Sequence, residues 1–334
     1  MYSYQPLEKR LNDKGLNKSD LTINLGISSK TIAKMSKGEK VANWVLLKIA
    51  NFLNCRVDEL FKITYDNPIL QILKEEKSIK LSGGLYHELQ VRMTYNSNHI
   101  EGSKLTEDQT RLIFETRTID ADDGVLVDDI IETSNHFRAI DYIIDVAMEP
   151  LSEEIIKHIH LLLKQGTNGS NFDWFMVGDY KKRSNVVGGK ITCRPSEVAN
   201  EMKKLLNNYL SKKNISIEDV IEFHANFEYI HPFQDGNGRV GRLIALKECL
   251  RFNIIPFIIE DSKKSFYYRG LANWKDEKGL LIDTCLDGQD AFKRLLELLD
   301  INVWVPALVI SAFLFLLKCH SFLLSLKKLY HRIM

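Results

Sequence analysis

The chain has 334 residues, 45% apolar and 27% charged, with a formal net charge of +1. That is length enough for two domains with separate cores, and nothing in the balance predicts a nucleic-acid or membrane partner for the molecule as a whole. Its five cysteines, Cys55, Cys193, Cys249, Cys285 and Cys319, lie far apart without a CxxC pair, which indicates neither a zinc cluster nor a disulfide framework and fits a reducing cytoplasm; the N-terminus lacks the basic-then-apolar pattern of a secretory leader.

Residues 1–64 are expected to form a bundle of short helices. Apolar side chains recur at helical spacing in Leu11, Leu16 and Leu21, then Ile32, Ala33 and Met35, then Trp44, Leu46, Leu47, Ile49 and Leu53, with turns at Gly26 and Gly38. Residues 1–63 hold eleven basic against six acidic side chains, so the positive charge is concentrated at this end. The stretch from Lys18 to Leu21, continued by Gly26-Ile27-Ser28-Ser29-Lys30-Thr31-Ile32-Ala33-Lys34-Met35, resembles the Cro/repressor-like helix-turn-helix family. The resemblance implies a turn at Gly26 and a second helix, about 29–36, that enters the DNA major groove. Ser29, Lys30, Thr31 and Lys34 would reach bases or phosphates, and Lys37 and Lys40 would add phosphate contacts. Such domains usually bind as dimers, so DNA with a palindromic site and a second copy of the chain are expected partners.

Residues 65–125 are expected to be mostly helical, with a charged stretch at Lys74 to Lys80, a turn at Ser82-Gly83-Gly84 and one long periodic segment from about Tyr86 to Glu115, followed by an acidic stretch over Asp120 to Asp129 that forms a loop running into the next helix. From 126 to 300 the pattern predicts helices over about 127–147, 153–165, 196–211, 217–230 and 237–251. β-Branched pairs on each side of Gly188-Gly189 predict a small hairpin over 185–192. In the segment 301–334, Val303 to Leu317 is apolar apart from Ser311. Those fifteen residues would cover about 22 Å as a helix against roughly 30 Å of hydrocarbon, which argues against a membrane span. A buried or partner-facing helix, a membrane association and a segment foreign to the rest of the chain all stay open.

The stretch His231-Pro-Phe-Gln-Asp-Gly-Asn-Gly-Arg-Val-Gly-Arg242 carries the chemistry. Gly236-Asn237-Gly238 permits a tight turn whose N–H groups converge at a helix start, an anion site by backbone geometry and dipole. Arg239 and Arg242, three apart, share a helix face where both could grip one polyphosphate. Asp235 beside that nest is a costly neighbour for phosphate unless a hard cation such as Mg²⁺ is shared between them. His231 offers an imidazole suited to taking a hydroxyl proton.

At these residues the sequence resembles the Fic family, matching its motif His-x-Phe-x-Asp/Glu-Gly-Asn-Gly-Arg-x-x-Arg at every defined position. The resemblance implies a mainly α protein in which an all-helical core with a small β-hairpin flap moves AMP from ATP to a Ser, Thr or Tyr hydroxyl of a target protein. It implies His231 as general base and Asp235 as the Mg²⁺ ligand. Asn237 with the backbone of Gly236 and Gly238 would cradle the α-phosphate, while Arg239 and Arg242 would hold the β- and γ-phosphates and Phe233 would anchor the loop. Val186, Val187, Gly188 and Gly189 would form the flap that docks an extended target strand. Gly178-Asp179-Tyr180-Lys181 departs from the expected pattern, with Lys in place of Arg.

Ser97-Asn98-His99-Ile100-Glu101-Gly102 matches the same family's inhibitory pattern, Ser/Thr-x-x-x-Glu-Gly/Asn. Ser97 and Glu101 stand one helical turn apart, and the resemblance implies that Glu101 pairs with Arg242 and excludes the γ-phosphate. Other classes of function stay open: a transcription regulator whose core senses nucleotide, or a different phospho-group transfer or AMP removal at the same site.

Overall fold

The computed structural model describes residues 2–36, 38–63, 67–120 and 124–301; the apolar tail over 302–334 and Lys37 lie outside the described residues. Within them the protein is mainly α, with fourteen helices and two two-stranded antiparallel ladders.

The first four helices, α1 (Gln5–Asp13), α2 (Lys18–Leu25), α3 (Ser29–Ser36) and α4 (Asn43–Leu53), close on a core that includes Leu7, Leu11, Leu21, Ile27, Met35, Val45, Ile49 and Leu60. Helix α2 starts in a capping box, with Asn17 Oδ1 accepting from Ser19 N and Asp20 Oδ2 from Asn17 N. It stops at Gly26, whose φ of +63° suits a residue without Cβ. Strands β1 (Tyr2–Ser3) and β2 (Lys62–Ile63) pair antiparallel, Tyr2 opposite Ile63, and join the two ends of the bundle. Strands of two residues are too short to carry an alternating pattern, so this ladder has no signature in the sequence.

The second body holds three apolar clusters, all separate from the first core. It is built by α5 (Pro68–Ile79), α6 (Leu85–Ile100), α7 (Glu107–Thr116), α8 (Val127–Val146), α9 (Glu153–Lys164), α10 (Pro195–Leu210), α11 (Ile217–Ile230), α12 (Asn237–Arg251), α13 (Lys264–Ala272) and α14 (Gly279–Leu298). The periodic stretch expected as one segment from Tyr86 to Glu115 is two helices. Gly102 takes φ +104° after α6, and Thr106 opens α7 in a capping box with Gln109. Helices α13 and α14 lie beyond the last helix that the sequence pattern predicts, 237–251. Helix α12 is the centre of this body: Val240 to Leu250 are all buried, and it packs against α11, α8, α9 and α6. A helix covered on every side shows little amphipathic periodicity, as its sequence does.

Strands β3 (Val186–Val187) and β4 (Lys190–Ile191) form the hairpin, Val186 opposite Ile191. Gly188 and Gly189 both have positive φ, +56° and +78°, as a two-residue turn of this hand requires. Val186 and Ile191 are 62% and 74% exposed, so the ladder holds apolar side chains in solvent. No helix among the described residues is long and apolar enough to cross a membrane.

Candidate active site

Helix α11 ends at Ile230, and His231 takes a left-handed φ of +51° while its N–H still bonds Phe227 O at 2.9 Å. The chain then crosses to Gly236 (φ +78°), the residue before α12. Asn237 closes this loop: its Oδ1 accepts from Phe233 N at 2.8 Å and its Nδ2 donates to Phe233 O at 2.9 Å. The Asn237 amide is thereby spent on the loop, which leaves its backbone N–H as its free donor towards an anion. Phe233 is fully buried and stacks on His160 of α9, ring centroids 4.0 Å apart.

His160 braces the same loop. Its Nδ1 accepts from Gly178 N at 2.9 Å, so Nε2 carries the proton and donates to Asp235 O at 3.2 Å. Burial, with the Lys164 ammonium close by, pushes the His160 ring down to about 3 and keeps it neutral. One turn along α9, Lys164 Nζ reaches Asp235 Oδ2 at 2.5 Å and also pairs with Glu132 of α8. Glu132 pairs in turn with Arg239, which lies 3.6 Å from Asp235 Oδ2. Although burial opposes its charge, Arg239 and Lys164 hold the Asp235 carboxyl well below the usual range, and the side chain keeps 54% of its surface in solvent. Among the described residues no three of His, Cys, Asp and Glu gather as a metal cluster.

Arg242 points the other way. Its Nη2 meets Glu101 Oε1 at 2.7 Å and Ser97 O at 2.9 Å, Nε donates to Ser97 Oγ at 3.0 Å, and Nη1 reaches Tyr267 Oη at 3.3 Å. Glu101 also lies over the start of α12, where a Cβ on Gly238 would collide with Glu101 Oε1. Its carboxylate thus occupies the guanidinium and crowds the first turn of α12, where the helix dipole favours an anion. Burial works against that charge, but Arg242 and Arg239 outweigh it and hold the carboxyl below its ordinary value.

His231 completes the group. Burial first, then the Lys181 ammonium, lowers its imidazole to about 4. Its Nδ1 faces Glu228 Oε2 at 3.9 Å, and Lys181 Nζ holds its carbonyl at 2.7 Å. The structure therefore gathers His231, Asp235, Gly236, Asn237, Gly238, Arg239, Arg242, Ser97 and Glu101, and adds Glu132, His160, Lys164, Lys181 and Tyr267, which the motif does not contain. The one signal in the sequence that could have marked α9 is a His and a Lys four apart on the buried face of an amphipathic helix.

The sequence profile of the Fic/DOC family matches residues 150–249, and that of Cro/C1-type helix-turn-helix DNA-binding domains matches residues 6–66. The chain carries a Fic/DOC domain. Relatives of this part include the protein adenylyltransferase Fic of Drosophila erecta, 30% identical over 186 residues, and that of Drosophila willistoni, 33% identical over 180, each match covering 53% of this chain. The chain spans 35% of the length of both relatives. A Fic domain containing signaling protein from Bacteroides thetaiotaomicron superposes with a TM-score of 0.51 at 25% identity, covering 68% of this chain and 91% of its own. Fic-1 from C. elegans superposes at 0.52 and 19% identity, covering 84% of this chain and 79% of its own, a likeness of fold.

At the other end, Ser29, Lys30 and Lys34 of α3 are exposed, as is Lys40. Thr31 is partly covered, and its hydroxyl lies 2.9 Å from Ser28 Oγ, a local cap that competes with any contact to DNA.

Proposed function

We propose that the Fic domain transfers AMP from Mg-ATP to a Ser, Thr or Tyr hydroxyl of a target protein, with Glu101 as a built-in restraint and the N-terminal domain as a DNA-binding module. One observation carries the reading: a neutral, largely covered imidazole at His231 sits on the loop that leads into α12, whose first turns carry two arginines. The N–H groups of Asn237 and Gly238 at the start of α12 suit an α-phosphate, and Arg239 and Arg242 suit the phosphates beyond it. The target hydroxyl would give its proton to His231 Nε2 as its oxygen bonds to the α-phosphorus; the bond from that phosphorus to its bridging oxygen breaks, and pyrophosphate leaves with the electron pair. Holding reactants in line and neutralising charge is the protein's share of the work.

Asp235 fits a magnesium ion, which would supply charge neutralisation at the phosphates: it is ionised, half exposed and next to the glycine turn that opens α12. One carboxylate suffices for this ion where phosphates and water complete the shell. Lys164 and Arg239 contact Oδ2 of Asp235, so binding through that oxygen would have to loosen those pairs.

Labelling separates this function from its neighbours. The Glu101→Gly protein, incubated with α-labelled or γ-labelled ATP in host lysate, is expected to leave label on protein from the α position only. Label from γ alone would establish kinase-like chemistry instead.

A further inference from the structure

The position where the Fic resemblance leads one to expect Arg holds Lys181, and its side chain is 2% exposed. Its Nζ donates to Asn185 Oδ1 at 2.8 Å, Thr192 Oγ1 at 2.6 Å, His231 O at 2.7 Å and, more weakly, Ile230 O at 3.4 Å. Its own N–H bonds Pro232 O at 2.9 Å. Asn185 and Thr192 close the stem of the hairpin, where Thr192 N bonds Asn185 O at 3.2 Å, and Asn185 Nδ2 bonds Phe233 O at 3.1 Å. A single buried ammonium therefore touches both feet of the hairpin and the end of α11 from which the imidazole hangs. A buried cation is tolerated only where its donors are filled, so the arrangement holds all four acceptors in one geometry.

We propose that Lys181 is a positioning residue that ties the 185–192 hairpin to the backbone at His231, so that docking a target segment on the hairpin and setting the base are one event. The proposal rests on the reading of His231 as base and of the hairpin as target seat.

The test uses the full chain carrying Glu101→Gly, with Lys181→Met and Lys181→Arg added separately. Lys181→Met is expected to leave the Kd for ATP within about twofold while kcat for AMP transfer falls roughly 10–100-fold, with Lys181→Arg restoring most of it. Two readouts need no transfer. Amides over 185–192 should exchange faster, and the His231 ring, faced by Lys181, by Glu228 of α11, by Glu101 of α6 and by Asp235 of its own loop, should titrate at higher pH once the ammonium is gone. Unchanged exchange and ring titration overturn the proposal, and so does a loss of ATP binding in step with transfer, which marks a merely structural role. Should Lys181→Met not fold, Thr192→Val, which removes one acceptor at a partly buried position and keeps the ammonium, is judged by amide exchange over 185–192, where faster exchange supports the tie and unchanged exchange overturns it. A Glu101→Gly parent that transfers nothing sinks the function proposed above while leaving these two measurements to decide Lys181.

Discussion

Glu101 Oε1 lies 2.7 Å from Arg242 Nη2 and close beside Gly238, so one carboxylate fills the guanidinium and crowds the start of α12. A triphosphate seeking the same guanidinium and the same helix start must displace it, and the free energy of that pair is set against productive binding. Glu101→Gly is expected to raise AMP transfer, including onto the protein itself, by about 5–150-fold, the range of a typical coupling. Equal incorporation of α-label by the wild type and this variant would count against the restraint.

His231→Ala should remove transfer while ATP still binds. Because the ring titrates at about 4, it remains a neutral base throughout ordinary buffers. The rate profile of the Glu101→Gly protein should accordingly show no acid limb from this group between about pH 5 and 7, a window where an unperturbed imidazole near 6.5 would be losing its function. A half-maximal rate near 6.5 assigned to His231 would contradict its burial.

Much of this site was legible because its chemistry is written in consecutive residues. The glycines of His231 to Arg242 point to a loop and a helix start, and the pairing of Glu101 with Arg242 is what the resemblance of Ser97 to Gly102 to the inhibitory pattern implies. The supports were not legible. Glu132, Lys164 and Asp235 come from three parts of the chain, and only packing of α8 and α9 against α12 brings them together. The arginines also diverge: sequence spacing places Arg239 and Arg242 on one face, but in the fold each has its own carboxylate, Glu132 and Glu101. Likewise the Asn237 side chain, which the motif offers to phosphate, is bonded to Phe233 at both ends.

Four imidazoles, three of them buried and one largely covered, should dominate the stability profile in mild acid. His136, His160 and His224 are held down to about 3 and His231 to about 4, chiefly by burial. Each contributes stability that is complete above the unfolded value near 6.5 and is lost as pH falls towards the folded one. Glu228, pushed up to about 8 by burial and by Glu101, works in the opposite sense, since its neutral form is favoured as pH falls. Four groups against one give a Tm that declines steadily from about pH 6.5 to about pH 4, measurable by calorimetry, and a flat profile over that interval would refute it.

DNA binding by the N-terminal domain is expected to run through α3. Lys30 and Lys34 are exposed on it, and Lys→Ala at either position should weaken binding across sequences and reduce the salt slope of log K by about one for each phosphate no longer neutralised. Gel shifts of a palindromic promoter fragment at several salt concentrations measure this. Salt-independent retention would show that the lysines are merely solvated.

The two carboxylates nearest Lys164 should behave differently when removed. Glu132 is 13% exposed and holds Lys164 and Arg239, themselves 5% and 6% exposed. Glu132→Ala would strand two buried cations with Asp235 alone between them, a loss of about 3–5 kcal/mol of folding stability by analogy with other broken buried pairs. Asp235 keeps half its surface in water, and both cations retain Glu132 without it, so Asp235→Asn should cost much less stability. Its effect should fall on catalysis instead: transfer by Glu101→Gly should depend on added Mg²⁺ and vanish with chelator, whereas the Asp235→Asn version should be far slower and respond little to the metal. Chemical denaturation of both variants, set beside magnesium titrations of labelling, separates the two roles; a magnesium response undiminished in Asp235→Asn would remove Asp235 from the metal site.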